Sequence, residues 1–191
     1  MRIAGSPLAT LLCLSLAAAP VPSGAAEVRE PPPAGSPRDF DFLLGTWDIA
    51  NRRLEGWLRG SQDWREFPAR STCTRLLGSA ANMDEFTTPA RPGVVAMSLR
   101  LFDPVTGLWS IYWLDSRRPR ITPPVVGGFS GDRGVFEGDD EIEGRAVRVR
   151  YVWSRIRSGR PRWEQALSAD GGRTWETSWV MDLVRTGEAA R

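Results

Sequence analysis

The residues able to do chemistry in this chain are carboxylates, amides, arginines and tryptophans, because histidine and lysine are both absent. That absence removes Ser-His-Asp and Cys-His nucleophile systems, the H-E-x-x-H zinc site, a His-ligated haem, Schiff-base lysines and the P-loop lysine. What remains is a set of polar side chains embedded in apolar stretches. Asn82, Asp84 and Glu85 follow Leu76-Leu77-Gly78, Asp115 ends the run Trp109-Ser110-Ile111-Tyr112-Trp113-Leu114, and Gln165 stands among tryptophans. A buried amide or carboxylate requires partners, and in a barrel mouth a ligand can supply them. Two carboxylates of raised pKa would make an acid/base pair, with Asp84, Glu85, Asp115 and Asp140 the candidates. No residue here forms a recognised catalytic or metal-ligating motif.

Three other stretches invite a functional reading and also carry a simpler one. Ser168 to Trp175, S-A-D-G-G-R-T-W, fits the S-x-D-x-G-x-T-W pattern of the Asp-box, a hairpin turn repeated in sialidases and other propeller enzymes. Its Asp and Ser can hydrogen-bond loop backbone and its glycines permit positive φ, which are turn duties. One copy does not make a propeller. The acidic run Glu137 to Glu143 lacks EF-hand spacing. The Arg-rich stretch Arg145 to Arg162 alternates with apolar residues and reads as a solvated strand face, not a nucleic-acid surface.

The elements that must position these residues are strands. Period-two segments bounded by Gly, Pro and Asp predict strands at Thr46–Gly56, Asp63–Leu77, Ala80–Thr87, Val94–Phe102, Leu108–Asp115, Val125–Phe129, Gly134–Ile142, Arg145–Trp153, Arg162–Ser168 and Thr174–Arg185. A turn of helix is expected near Arg38 to Leu44. Short connections in sequence order favour an up-and-down antiparallel sheet that closes on itself and so removes its edges.

Two hairpins can be registered. A two-residue turn at Glu143-Gly144 sets Asp139 opposite Arg148 and Glu137 opposite Arg150, leaving Phe136, Gly138, Val147, Val149, Tyr151 and Trp153 on the buried face. Pairing Ser168 with Thr174 would put Trp163, Trp175, Trp179 and Leu167 on one inner face. Nine tryptophans in one domain suit either a filled core or a ligand wall, since Trp stacks on flat apolar groups and keeps an N–H to donate.

Composition sets the context. The 191 residues are 41% hydrophobic and 25% charged, as for a single globular domain behind a leader. Arg2, the apolar run Leu8 to Ala19 and the small residues Gly24-Ala25-Ala26 predict a secretory signal peptide over 1–26, and the Pro-rich stretch 27–38 a linker, with the barrel domain at 39–187. Leu12 stands where a small residue precedes a lipidated cysteine, so no membrane anchor is expected after cleavage. The formal charge of +2 provides no global field for nucleic acid. Cys73 is then the only cysteine, and it reads as a small buried hydrophobe.

Phe40-Asp41-Phe42-Leu43-Leu44-Gly45-Thr46-Trp47 followed by a strand resembles the start of calycin-like barrels, where a Gly-x-Trp closes one end. More closely, F-D-F-L-L-G-T-W-D-I at 40–49, S-L-R-L-F-D-P at 98–104, W-S-I-Y-W-L-D at 109–115, P-P-V-V-G-G-F at 123–129, V-R-Y-V-W-S at 149–154 and W-E-Q-A-L-S-A-D-G-G-R-T-W-E at 163–176 together resemble a family of secreted bacterial proteins of unknown function. The resemblance implies a small barrel and brings no activity. The haem-binding relatives among such barrels use an axial His, which this chain lacks.

The expectation is therefore an all-β, single antiparallel up-and-down calycin-like barrel of about ten strands, secreted or periplasmic, without cofactor or metal. It would hold a small apolar or mixed-polarity ligand among Trp47, Asn82, Trp113, Asp115, Tyr151, Gln165 and Trp179. A carboxylate-based hydrolase or isomerase in the same barrel, and a packed barrel acting as a protein-interaction module, are the rivals.

Overall fold

The computed structural model describes residues 35–142 and 144–188, so the predicted signal peptide and most of the linker lie outside the described residues. Ten strands follow one another: β1 Gly45–Leu54, β2 Trp64–Leu76, β3 Ala81–Thr87, β4 Val95–Asp103, β5 Leu108–Asp115, β6 Val125–Ser130, β7 Arg133–Ile142, β8 Arg145–Ser154, β9 Arg162–Ser168 and β10 Glu176–Gly187. Each pairs antiparallel with its sequence neighbours, and β10 returns to β1, closing the barrel. The predicted helical turn is a 3₁₀ segment at Asp41–Leu43.

Alternation along the strands decides what faces inward. Trp47, Ile49 and Asn51 of β1 are buried, as are Val147, Val149 and Trp153 of β8 and Trp163 and Leu167 of β9. Burying each large apolar side chain contributes roughly 1.5–3 kcal/mol. Where β6 and β7 approach most closely the inner positions are glycine: a Cβ on Gly127 would stand 1.9 Å from the Val135 carbonyl oxygen. Any side chain there would push the wall apart.

One end of the barrel is plugged. Phe40 packs at ring-centroid distances of 4.8 Å from Phe129 and 4.9 Å from Trp109. Trp109 donates its indole N–H to the Ser36 carbonyl at 3.2 Å, and Trp47 donates to Leu43 at 2.7 Å. Arg185 of β10 lies 4.2 Å over the Trp47 ring and donates to the carbonyls of Leu44 and Phe42, the latter at 2.7 Å. The last strand thus fastens the segment that stoppers the first.

The β7–β8 register is the expected one, with Asp139 opposite Arg148 and Glu137 opposite Arg150. Arg150 Nε lies 2.7 Å from Glu137 Oε1. Ile142 pairs with Arg145 across the two-residue turn, of which Glu143 lies outside the described residues.

The β9–β10 register corrects the expectation. Leu167 faces Glu176, Gln165 faces Trp179 and Trp163 faces Met181, with an irregularity between Thr177 and Trp179. The extra residue slips the pairing, so Trp163 and Trp179 share the inner face while Trp175 leaves it. Trp175 sits under Arg150 on the outer side, 3.8 Å from the guanidinium carbon. The Asp-box performs its turn duties: Asp170 Oδ1 accepts from the backbone N–H groups of Arg173 and Thr174 at 3.0 and 2.9 Å, and Ser168 Oγ accepts from Gly172 at 2.8 Å.

Candidate functional site

Strand alternation sends the loops 55–63, 88–94, 116–124 and 169–175, together with the 143–144 turn, to the end opposite the plug. Beneath them lies an aromatic layer. Trp113 and Trp179 stand 6.0 Å apart between ring centroids, Phe86 is 6.0 Å from Trp113, and Trp163 is 5.6 Å from Trp179. Edge-to-face contacts of this kind fix the rings in one arrangement.

Above that layer opens a mouth cavity of about 460 Å³, lined by Trp113, Trp179, Asp115, Arg53, Arg91, Arg117 and Arg118. Arg53 reaches it from the end of β1 and lies 5.0 Å from the Trp179 ring and 5.4 Å from Trp57. Burial, and then the neighbouring Arg91, lower its pKa from the ordinary arginine value, with Glu55 acting the other way. Arg91 Nη2 contacts Asp115 Oδ2 at 3.3 Å, while Asp115 Oδ1 accepts from the backbone N–H groups of Arg117 and Arg118 at 2.8 and 3.2 Å. Burial opposes the charge on Asp115, but these donors outweigh it and hold the carboxyl below its usual range. A second cavity of about 280 Å³ beside Trp57 and Phe67 shares the Arg53–Arg91 rim. A third of about 210 Å³, between Trp113 and Tyr151, has Asp139, Asp140 and Glu141 on its edge.

Below the aromatic layer the barrel is packed. The remaining space is about 40 Å³, enough for one or two water molecules. Its polar wall comes from β2, β3 and β4. Arg100 Nη2 lies 2.5 Å from Asp84 Oδ1, Arg100 Nη1 donates to Asn82 Oδ1 at 3.0 Å, and Ser71 donates to Asp84 Oδ2 at 3.0 Å. Arg100 Nε and Trp153 Nε1 have no acceptor among the described residues. Cys73 is buried beside this network, and burial pushes its thiol up to about 12.

The seven residues expected to line one ligand chamber fall in separate places. Trp113, Asp115 and Trp179 meet at the mouth. Tyr151 borders the small interior space and the acidic-edged cavity, and burial raises the pKa of its hydroxyl. Trp47 is spent on the plug, Asn82 on Arg100, and Gln165 on Ser178, to which its amide donates at 3.1 Å. Asn82 and Gln165 line none of these cavities. Sequence reading missed Arg53, Arg91 and Arg100. Arg100 is buried with Ala96 and Ser98 on the inner face of β4, a face that the apolar alternation of the strand does not mark, and Arg53 and Arg91 carry no signal short of the closed barrel.

A larger hollow, about 1190 Å³, lies on the outer side of the wall between Ala50, Pro68, Val95 and Val184, and gathers none of the predicted residues. Among the described residues no group of three or more Cys, Asp or Glu side chains is placed to hold a metal ion, and no helix is long and apolar enough to cross a membrane. No family model matches the chain, and no curated protein matches it.

Proposed function

We propose that this chain is an exported binding protein that takes a small ligand of mixed polarity at the loop end of its barrel, above the aromatic layer and not in the barrel centre. The observation that carries the reading is the mouth cavity of about 460 Å³ floored by Trp113 and Trp179. That volume falls in the range of small-molecule sites, roughly 300–1,000 Å³, whereas the interior space of about 40 Å³ does not. An apolar or aromatic body would lie on the two indoles, and its polar end would face the arginine rim.

The catalytic alternative draws less support. The carboxylates whose pKa is displaced, Asp103, Asp115, Asp170 and Asp182, are all displaced downward, the opposite of what a general acid near neutral pH requires. Asp84 is occupied by Arg100 and Ser71, and borders no space that admits a substrate.

Tryptophan fluorescence titrated against a panel of apolar, aromatic and glycan compounds tests the reading. At least one compound class should quench or shift the emission saturably, and Trp113→Ala should abolish that response while the far-ultraviolet circular dichroism is retained. A panel that leaves the emission unmoved, or a response untouched by Trp113→Ala, would count against it.

A further inference from the structure

We infer that the mouth selects a ligand with an anionic head group on an apolar body, and that Arg53 and Arg117 read that head group; the inference rests on the binding reading above. The lining of the mouth holds four arginines and one acid, Asp115. That acid is already engaged by Arg91 and by two backbone N–H groups. Arg53 and Arg117 form no ion pair among the described residues. The chain carries only a small formal charge overall, so this is a local excess and not a reflection of composition.

The local geometry strengthens the point. Arg53 is partly desolvated against Trp179 and Trp57, with Arg91 as a like-charged neighbour. Burial and the like charge of Arg91 disfavour the Arg53 cation and Glu55 offsets this only in part, so an incoming anion stabilises it. The guanidinium fork presents paired N–H donors matched to the oxygens of a carboxylate, sulfonate or phosphate. The acids Asp139, Asp140 and Glu141 edge the adjoining cavity on the far side of Trp113. Arg118 and Arg120 line the same cavity, so its charge is mixed, whereas four of the five charged residues at the mouth are cationic.

The test uses two fluorescent probes of nearly the same aromatic body, anilinonaphthalene sulfonate and its uncharged parent N-phenylnaphthylamine. The sulfonate should bind at least about tenfold more tightly than the parent, the size expected for charge-assisted hydrogen bonds, and added salt should weaken the sulfonate alone. Arg53→Gln should reduce sulfonate affinity about tenfold and leave the parent unchanged. Arg117→Gln, at an exposed position that the fold does not depend on, should act in the same direction and keeps the test open if Arg53→Gln does not fold. Equal affinity for both probes, or equal losses of both in the variants, would leave an apolar mouth standing and overturn the anion inference. Failure of both probes to bind would overturn the binding reading and this inference with it.

Discussion

Arg100 and Asp84 meet at 2.5 Å inside the barrel, with 5% and 11% of their side chains exposed. Asn82 and Ser71 satisfy the outer atoms of the pair, so the charges are held by a network and not by a single contact. Removing one partner strands the other charge in a packed interior. Arg100→Met or Asp84→Leu alone should cost about 3–5 kcal/mol, and the double variant should cost clearly less than the two singles together. Urea unfolding of the three proteins measures the coupling, and simple additivity would mean that the two side chains act independently.

Arg185 offers a second handle on the fold. It stacks on Trp47 and donates to two carbonyls of the segment that plugs the barrel. Those carbonyls stand at the end of a 3₁₀ turn, where acceptors lack partners within the segment. Arg185→Ala should lower stability by about 2–4 kcal/mol, through lost hydrogen bonds to a charged donor and lost stacking. Lysine, with a point charge and no planar face, should recover less than half of that. Thermal unfolding followed at the near-ultraviolet signal of the tryptophans checks both, and a lysine variant as stable as the parent would rule out the planar contact as the cause.

The hairpins show what sequence reading reaches and where it stops. For β7–β8, Glu137 and Asp139 on one strand and Arg148 and Arg150 on the other leave one register that pairs charge with charge, and the strands adopt it. For β9–β10 the pattern was equally regular, yet a bulge between Thr177 and Trp179 and a longer turn moved Trp175 to the outer face. Alternation cannot register a bulge, because the inserted residue is visible only in the paired backbone. The same limit applies to the site. Trp113, Asp115 and Trp179 stood out as polar and aromatic residues within strands. Arg53 meets Trp179 only because closure pairs β1 with β10, and Arg91 joins them from the loop before β4. In β4 the apolar residues Met97, Leu99 and Leu101 are half-buried on the outer side while Ser98 and Arg100 point in, so hydrophobic period two alone assigns this strand backwards.

Cys73 provides an alkaline probe. Burial raises its thiol pKa from about 9 to about 12, so the folded state favours the protonated form. Stability from this group is complete below pH 9, and is lost as pH rises toward 12, because in that interval the unfolded chain releases a proton that the folded chain retains. Cys73→Ala should therefore flatten the fall in urea midpoint between those pH values. In the native protein at pH 8 the thiol should resist an aromatic disulfide reagent, and it should react fully on unfolding. Rapid native labelling would contradict the burial.

Acid titrates the paired carboxylates instead. Hydrogen bonds from Arg162 hold Asp182 below its ordinary value against the effect of burial, with Arg155 adding to the attraction. The Asp115 carboxyl is likewise held low by the loop N–H groups and Arg91. Groups depressed in the folded state contribute their stability above the unfolded pKa near 3.8, and lose it as pH falls further through the folded value. Asp182→Asn should remove part of the pH dependence of stability below pH 4 and leave the neutral-pH profile parallel to that of the parent. An unchanged acid limb in the variant would show that Asp182 has the same pKa in both states.

Trp113 borders the interior space, the acidic-edged cavity and the mouth at once. It is held by edge-to-face contacts with Phe86 and Trp179 at 6.0 Å, and no hydrogen bond fixes its indole among the described residues. Truncating it removes the partition and not the wall, since the strand register on either side runs through backbone hydrogen bonds. Trp113→Ala should lower stability by about 2–4 kcal/mol, less than for a fully buried tryptophan because the side chain is only partly buried. It should also join the mouth to the polar wall of Asp84 and Arg100. Probes too long for the parent mouth, such as a long-chain acyl carboxylate, should then bind to the variant and reach Arg100. The signature is a gain of affinity in Trp113→Ala that is lost again in Trp113→Ala combined with Arg100→Met, read by isothermal calorimetry under conditions where both variants remain folded. If Trp113→Ala merely collapses onto Phe86 and Trp179, stability falls without any new binding, and the aromatic layer is then a packed core and not a removable floor.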